Sequence, residues 1–434
     1  MDTNLISEDC LTINIFRPSG VTEESRLPVL FWAHGGGFQT GSSSEFNGSA
    51  IVAQSVARGT PVIYVNFNYR LGPLGFPQGK EAASRGILNL AIKDQLAALE
   101  WVQINIGAMG GDKDKVTIFG ESAGSTMTSI LFLHPYISKY ARAAIFESGS
   151  ASTSLTFDAK RREDSWTSFI EGVPSCNSFV GTSFTMDCLQ HSNTSDVLEG
   201  LLQALAEADE QFPFDPTLDG PRGLFPGLPS ELLPRGEFTR LPFIAGTNLD
   251  EAVPPKIMDE LLALYPDNPA AGSPYNTGNE TFGLAPLYKK CAALSGDLAF
   301  ESQRRNWIQS ATNVGVKAFG YRFTQSLTAV ISPYLGVAHN TEVPFVYGSV
   351  ITLNQPPSAN ALSVAMIDYW LSFATSLDPN DGLGSPRPVW PQYTPDQQML
   401  LQLNGDNITA IPDDYHKEQI DFIINQGVIF RHRR

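Results

Sequence analysis

A serine flanked by glycines ends a β-rich run in KVTIFGESAGSTMTSILFL, residues 115–133. Gly120, Ser122 and Gly124 form the pattern G-x-S-x-G. KVTIF (115–119) reads as a buried strand and Ser125–Leu133 as a helix, so Ser122 falls on a sharp strand-to-helix turn. Such a turn needs small residues on both sides, which the two glycines supply. A serine there projects above the sheet. The helix N-terminus adds partial positive charge and free N–H groups beside it. That is a setting for acyl transfer: a hydroxyl to attack a carbonyl, and donors for the oxyanion that forms. The competing reading, a glycine-rich turn with an idle serine, is weakened by the strand and helix on either side.

Acyl transfer also needs further oxyanion donors, a base and an acid to orient the base. WAHGGGF (32–38) follows a predicted strand, and its glycines let backbone N–H groups approach a substrate. A phosphate-binding loop is the rival, but neither G-x-G-x-x-G nor G-x-x-x-x-G-K-[ST] occurs in the chain. Six histidines are present: His34, His134, His191, His339, His416 and His432. The order nucleophile, acid, histidine requires a late histidine on a loop. His34 belongs to the glycine loop, His134 closes the helix after Ser122, and His191 precedes any acid on a late strand. His416 and His432 lie in or beyond the last helix. His339, in GVAHNTEVPFVYG, has the right position. For the acid, PFIAGTNLDEAV offers Asp250 and Glu251 side by side after a strand at 242–247. Either carboxylate could hold the imidazole tautomer, and the residues alone leave both open.

The elements that must position these groups alternate. Strands are expected at 11–16, 28–34, 61–69, 115–119, 143–149, 242–248 and 317–324. An amphipathic helix is expected over 85–105, with Leu88, Ile92, Leu96, Leu99 and Val102 on one face, and others near 297–312, 360–376 and 414–426. Strands alternating with helices imply a mostly parallel sheet with its site at the strands' carboxyl ends. Residues 150–240 read as an irregular insertion on that edge. With no internal repeat or linker, one α/β domain over 1–434 is the simplest organisation.

Bulk composition narrows the class. With 42% hydrophobic and 17% charged residues the chain is an ordinary globular protein. A net charge of −16 disfavours nucleic acid and anionic membrane surfaces as partners. No apolar run has the length of a membrane span. Of the four cysteines none forms C-x-x-C, which argues against a zinc or redox site; Cys176 and Cys188 could close a short loop in an oxidising compartment. Sequons at Asn47, Asn193, Asn279 and Asn407 add a modest lean toward a secreted glycoprotein.

With these pieces in view, the sequence resembles the type-B carboxylesterase/lipase family, which contains cholinesterases and fungal lipases and esterases. SEDCLTINIFRP, WAHGGGFQTGS, VNFNYRLGPLGF, GILNLAIKDQLAALEWVQINIGAMGGDKDKVTIFGESAGS, ARAAIFESGSA, GTNLDEAV, GVAHNTEVPFVYG and IDYWLSFATSLDPN carry the likeness in order along nearly the whole chain. The resemblance implies the α/β-hydrolase fold and a serine hydrolase that cleaves carboxylic esters through an acyl-enzyme, with no metal or cofactor. It makes Ser122 the nucleophile and His339 the base, and selects Glu251 over Asp250 as the acid. The oxyanion donors would be the N–H groups of Gly36, Gly37 and Ala123. Ser148 matches a position that hydrogen-bonds the acid. Cys176 and Cys188 match a family disulfide, and Phe212 falls near the region shaping the acyl pocket in cholinesterases.

In the family SEDCL is preceded by roughly a hundred residues holding a signal peptide, the first strands and a lid-bearing loop closed by a disulfide to the cysteine matched by Cys10. Here the chain starts just before Cys10, so the expectation is a truncated form without signal peptide, first strands or lid. The family form would be secreted. Two other readings follow: a non-catalytic binding protein on this fold, as in the family's adhesion members, and an inert truncated form whose exposed strand edges loosen the sheet.

Overall fold

The computed structural model describes residues 7–154, 156–251, 261, 263–327 and 330–426. Its frame is a nine-stranded sheet: β1 (Ile13–Phe16), β2 (Leu27–Ala33), β3 (Ile63–Phe67), β4 (Gly111–Glu121), β5 (Ala143–Glu147), β6 (Phe243–Asn248), β7 (Ala318–Phe323), β8 (Met399–Leu403) and β9 (Thr409–Pro412). The spatial order is β1-β3-β2-β4-β5-β6-β7-β8-β9. Pairing is antiparallel only at the two ends, β1 with β3 and β8 with β9. The sheet is mostly parallel, as the alternating pattern implies, and has the α/β-hydrolase arrangement that the resemblance implies.

Every residue of β3, β5, β6 and β7 is buried, as expected of parallel strands covered on both faces. The period-2 alternation of side chains divides β2 between two cores. Val29 and Phe31 face one, with Ile92, Leu99 and Val102 of the helix Leu90–Asn105, Met127 and Ile130 of Ala123–Phe132, and Trp307 of Ser302–Asn313. Leu30 and Trp32 face the other, with Ile51 and Val52 of Ser49–Ala57 and Leu362, Met366 and Trp370 of Pro357–Ser376.

The structure departs from the sequence expectations in places with physical causes. The helix expected over 85–105 begins at Leu90, because Gly86 (φ +66°) and Asn89 (φ +55°) take left-handed backbone and interrupt it. The segment expected to be irregular carries helices at Glu163–Glu171, Thr185–Leu189 and Thr194–Glu207, and the Cys176–Cys188 disulfide lies among them. β8 and the half-exposed β9 are additional strands. Near the site, Asp297–Glu301 forms a π-helical turn between the helices Leu287–Gly296 and Ser302–Asn313. Such turns aim side chains that a regular helix would point elsewhere.

Candidate active site

Ser122 sits between β4 and the helix Ala123–Phe132 at φ +53°, ψ −120°. Non-glycine residues rarely adopt this backbone, and it persists only where surroundings enforce it. Three contacts do so. The Ser122 N–H donates to the Glu147 carbonyl at 3.0 Å, and the Ser122 carbonyl accepts from the Thr126 N–H at 2.9 Å. Gly124 is pressed against β2, where a Cβ would lie 2.0 Å from the Ala33 carbonyl oxygen. The glycine is therefore what lets the helix start this close to the sheet.

His339 lies on the loop after β7, stitched to the end of β6. The Asn248 side chain donates to the Ala338 carbonyl at 2.9 Å, and the Asp250 N–H to the Val337 carbonyl at 3.0 Å. In that position His339 Nε2 is 2.8 Å from Ser122 Oγ, and Nδ1 is 2.6 Å from Glu251 Oε2. Glu251 Oε1 accepts from the Asn248 N–H at 2.8 Å. The adjacent acids differ in what each carboxylate touches. Asp250 accepts from Ser273 Oγ (2.7 Å) and from the N–H groups of Tyr275 (3.0 Å) and Val337 (2.8 Å), so it ties loops together and does not reach the histidine.

The glycine loop abuts the serine: a Cβ on Gly35 would lie 3.0 Å from Ser122 Cβ. Gly36 (φ +111°) and Gly37 (φ +60°) require glycine's conformational freedom. The Gly36 carbonyl closes a tight turn by accepting from the Gln39 and Thr40 N–H groups. The N–H groups of Gly36 and Gly37 have no acceptor among the described residues. Ala123 opens a helix, where N–H groups lack intrahelical partners. His34 is buried and stacked on Tyr69 at 4.3 Å; burial pushes its pKa down to about 4, so it is a neutral brace for the loop. Phe212 lies directly against Gly37, where a Cβ would meet the ring at 2.4 Å.

Ser148 is a correction. Its hydroxyl, expected to bond the acid, instead reaches Glu342 Oε1 at 3.5 Å. It follows β5 at φ +48°, which turns the side chain toward that buried carboxyl. The remaining histidines lie away from the serine. His134 caps a short turn through Tyr136 N–H, His191 Nδ1 faces the Asp187 carbonyl, and His416 pairs with Asp297 at 2.6 Å. His432 lies outside the described residues.

Sequence reasoning missed three mutually interacting buried acids, two of which, Glu121 and Glu342, act on His339. Glu121 Oε1 lies 3.2 Å from His339 Nε2 with no hydrogen-bond donor of its own. Glu147 accepts the Trp370 indole N–H at 2.7 Å, and Glu342 accepts from Asn248 Nδ2 at 2.5 Å. Burial and mutual repulsion raise all three: Glu121 to about 8, Glu342 to about 7, and Glu147 well above the ordinary carboxyl range. Burial alone would lower His339, but Glu251 and Glu121 overcome it and push its pKa up to about 10. Glu121 and His339 compete for the same protons, and both hold them to higher pH than the free groups do. Phe300, in the π-turn, packs against the imidazole at 4.6 Å. Glu121 is the variable residue of G-x-S-x-G, and its side chain had no distinguishing signal in the sequence.

Comparison with known proteins identifies the family. A model of the carboxylesterase family matches residues 1–260 and 274–423. Secreted lipase 1 of Botryotinia fuckeliana is 31% identical over 96% of this chain and 76% of its own length. Lipase 1 of Geotrichum candidum is 32% identical over 98% and 79%. Among solved structures, Aspergillus niger EstA superposes with a TM-score of 0.83 at 24% identity, covering 98% of this chain and 85% of that one, a likeness of fold. A PNB esterase superposes at 0.74 with 27% identity, covering 95% and 85%. The chain belongs to the carboxylesterase family and is a carboxylic ester hydrolase of the α/β-hydrolase fold.

Proposed function

We propose that Ser122, His339 and Glu251 are the catalytic residues of this hydrolase. The observation that carries the reading is the unbroken contact line from Ser122 Oγ through both ring nitrogens of His339 to Glu251. Ser122 Oγ attacks the ester carbonyl carbon while its proton passes to His339 Nε2. Glu251 holds the Nδ1–H tautomer and stabilises the imidazolium. The tetrahedral oxyanion rests on the N–H groups of Gly36, Gly37 and Ala123. The intermediate collapses, the C–O bond breaks, and His339 returns the proton to the leaving alcohol. Water then attacks the acyl-enzyme by the same route and releases the acid. The free N–H groups of the glycine loop and the strained serine favour this reading over a binding protein with an idle site.

The substrate is a lipid or small-molecule ester. Hydrolysis of p-nitrophenyl butyrate that falls at least about 10⁴-fold in Ser122→Ala supports the assignment; unchanged turnover in that variant refutes it. Rates across acyl lengths, with an emulsified triacylglycerol as the longest member, decide between lipase and carboxylesterase. We further propose secretion with N-glycosylation. Its supports are the Cys176–Cys188 disulfide, the exposure of all four sequon asparagines, and relatives named secreted lipases. A mobility shift on glycosidase treatment of secreted protein tests this.

A further inference from the structure

We propose that Arg162 is a positioning residue that holds Phe212 against the oxyanion loop and thereby sets the room for the acyl group; this rests on the ester hydrolase reading above. Arg162 is 4% exposed and ends the short turn Ala159–Arg162. Its guanidinium grips three points of one loop. Nη1 donates to the Phe212 carbonyl at 2.5 Å and pairs with Asp215 Oδ1 at 2.6 Å, and Nη2 pairs with Glu210 Oε2 at 3.0 Å. The planar fork matches this arrangement in a way a lysine ammonium cannot. The Asp215 carbonyl is also held, by Gln78 Nε2 at 2.9 Å.

The consequence appears at the other end of Phe212. Its ring lies on the backbone of Gly37, and Phe38 meets it edge-on at 6.3 Å. Gly37 supplies a proposed oxyanion donor, so the ring stands beside the place where the acyl carbonyl is held. A ring fixed there is a wall for the acyl chain. Arg162 touches neither Ser122 nor the substrate position and acts through the loop. Without it, the ties to the Phe212 carbonyl, to Asp215 and to one oxygen of Glu210 are lost together, and Arg161, 2.7 Å from the other Glu210 oxygen, reaches only one of the three points.

The readout is a ratio: kcat/KM for p-nitrophenyl octanoate over that for the acetate. A ratio cancels the amount of active enzyme, so partial loss of folded protein does not disturb it. Phe212→Ala should raise the ratio about tenfold, the discrimination typical of an apolar pocket opened by a methylene or more. Arg162→Met alone removes the ion pair to the buried Asp215 carboxylate, so R162M/D215N carries the test, with Arg162→Lys as a second variant that keeps the charge but not the fork. Both should raise the ratio by at least about threefold. A merely structural role would lower both rates together and leave the ratio at the parent value, and that result overturns the proposal. So does an unchanged ratio in Phe212→Ala. The hydrolase reading fails separately, if the parent's Ser122 takes no fluorophosphonate.

Discussion

Replacing Glu121 with glutamine should lower the pH at which the enzyme becomes active. Glu121 Oε1 lies 3.2 Å from His339 Nε2, the nitrogen that must be unprotonated to accept the serine proton. A full negative charge at that distance favours the imidazolium by about 5 kcal/mol at an effective dielectric constant of 20. At about 1.36 kcal/mol per pKa unit, that is a ceiling near four units. The realised effect is smaller, because burial raises the Glu121 carboxyl itself and so opposes its ionisation. A shift of about one to three units is expected. The sign follows directly: with the anion removed the imidazolium is less favoured, so its proton leaves at lower pH. The parent's kcat/KM should rise with pH with an apparent pKa between the ordinary histidine value of 6.5 and about 10. In Glu121→Gln that limb should move down by at least about one unit. Glutamine keeps the side-chain shape, so packing beside Gly35 is preserved. An unmoved limb, or one moved to higher pH, would refute this electrostatic role.

Three further outcomes follow from the packing. Gly124→Ala should destabilise the fold by more than about 3 kcal/mol in urea unfolding, since its Cβ would meet only backbone atoms, at 2.0 to 2.6 Å. Removing the Cys176–Cys188 disulfide, which spans a sequence separation of 12, should cost about 3 kcal/mol and lower the Tm in calorimetry while kcat persists. Asp413→Asn should cost about 3–5 kcal/mol, because Arg304 and Arg305 both lean on that buried carboxylate. Those cations overcome burial and hold the Asp413 pKa well down, so its contribution is full above the unfolded value near 4 and is lost as pH falls through the folded value. The variant's stability should therefore fall less steeply than the parent's in acid.

The parts of the site legible in the sequence are those written in local punctuation. Gly120 and Gly124 around Ser122 announce the turn, and His34–Gly37 the glycine loop, because left-handed backbone and close strand–helix contact demand glycine. His339 was legible from chain order. The acid was not: Asp250 and Glu251 are neighbours of the same chemistry, and only the resemblance chose between them. In the structure the difference is one of direction, with Glu251 turned back to the Asn248 N–H and Asp250 absorbed by Ser273, Tyr275 and Val337. Glu121, Glu147 and Glu342 were illegible for a general reason. A glutamate is normally solvated, and nothing local marks one that tertiary packing will bury. Ser148 was misjudged by the same blindness, since its hydroxyl turns to Glu342. β8 escaped because MLLQL holds no β-branched or aromatic residue, and β9 because TAIP is a four-residue edge strand that ends in proline.

Reaction of the intact chain with a fluorophosphonate, mapped by peptide mass spectrometry, tests most directly whether Ser122 is the nucleophile. One phosphonyl adduct is predicted, on the peptide that carries Ser122, absent in Ser122→Ala and formed far more slowly in His339→Ala. An adduct on another serine, or labelling of Ser122→Ala at the parent's rate, would contradict it.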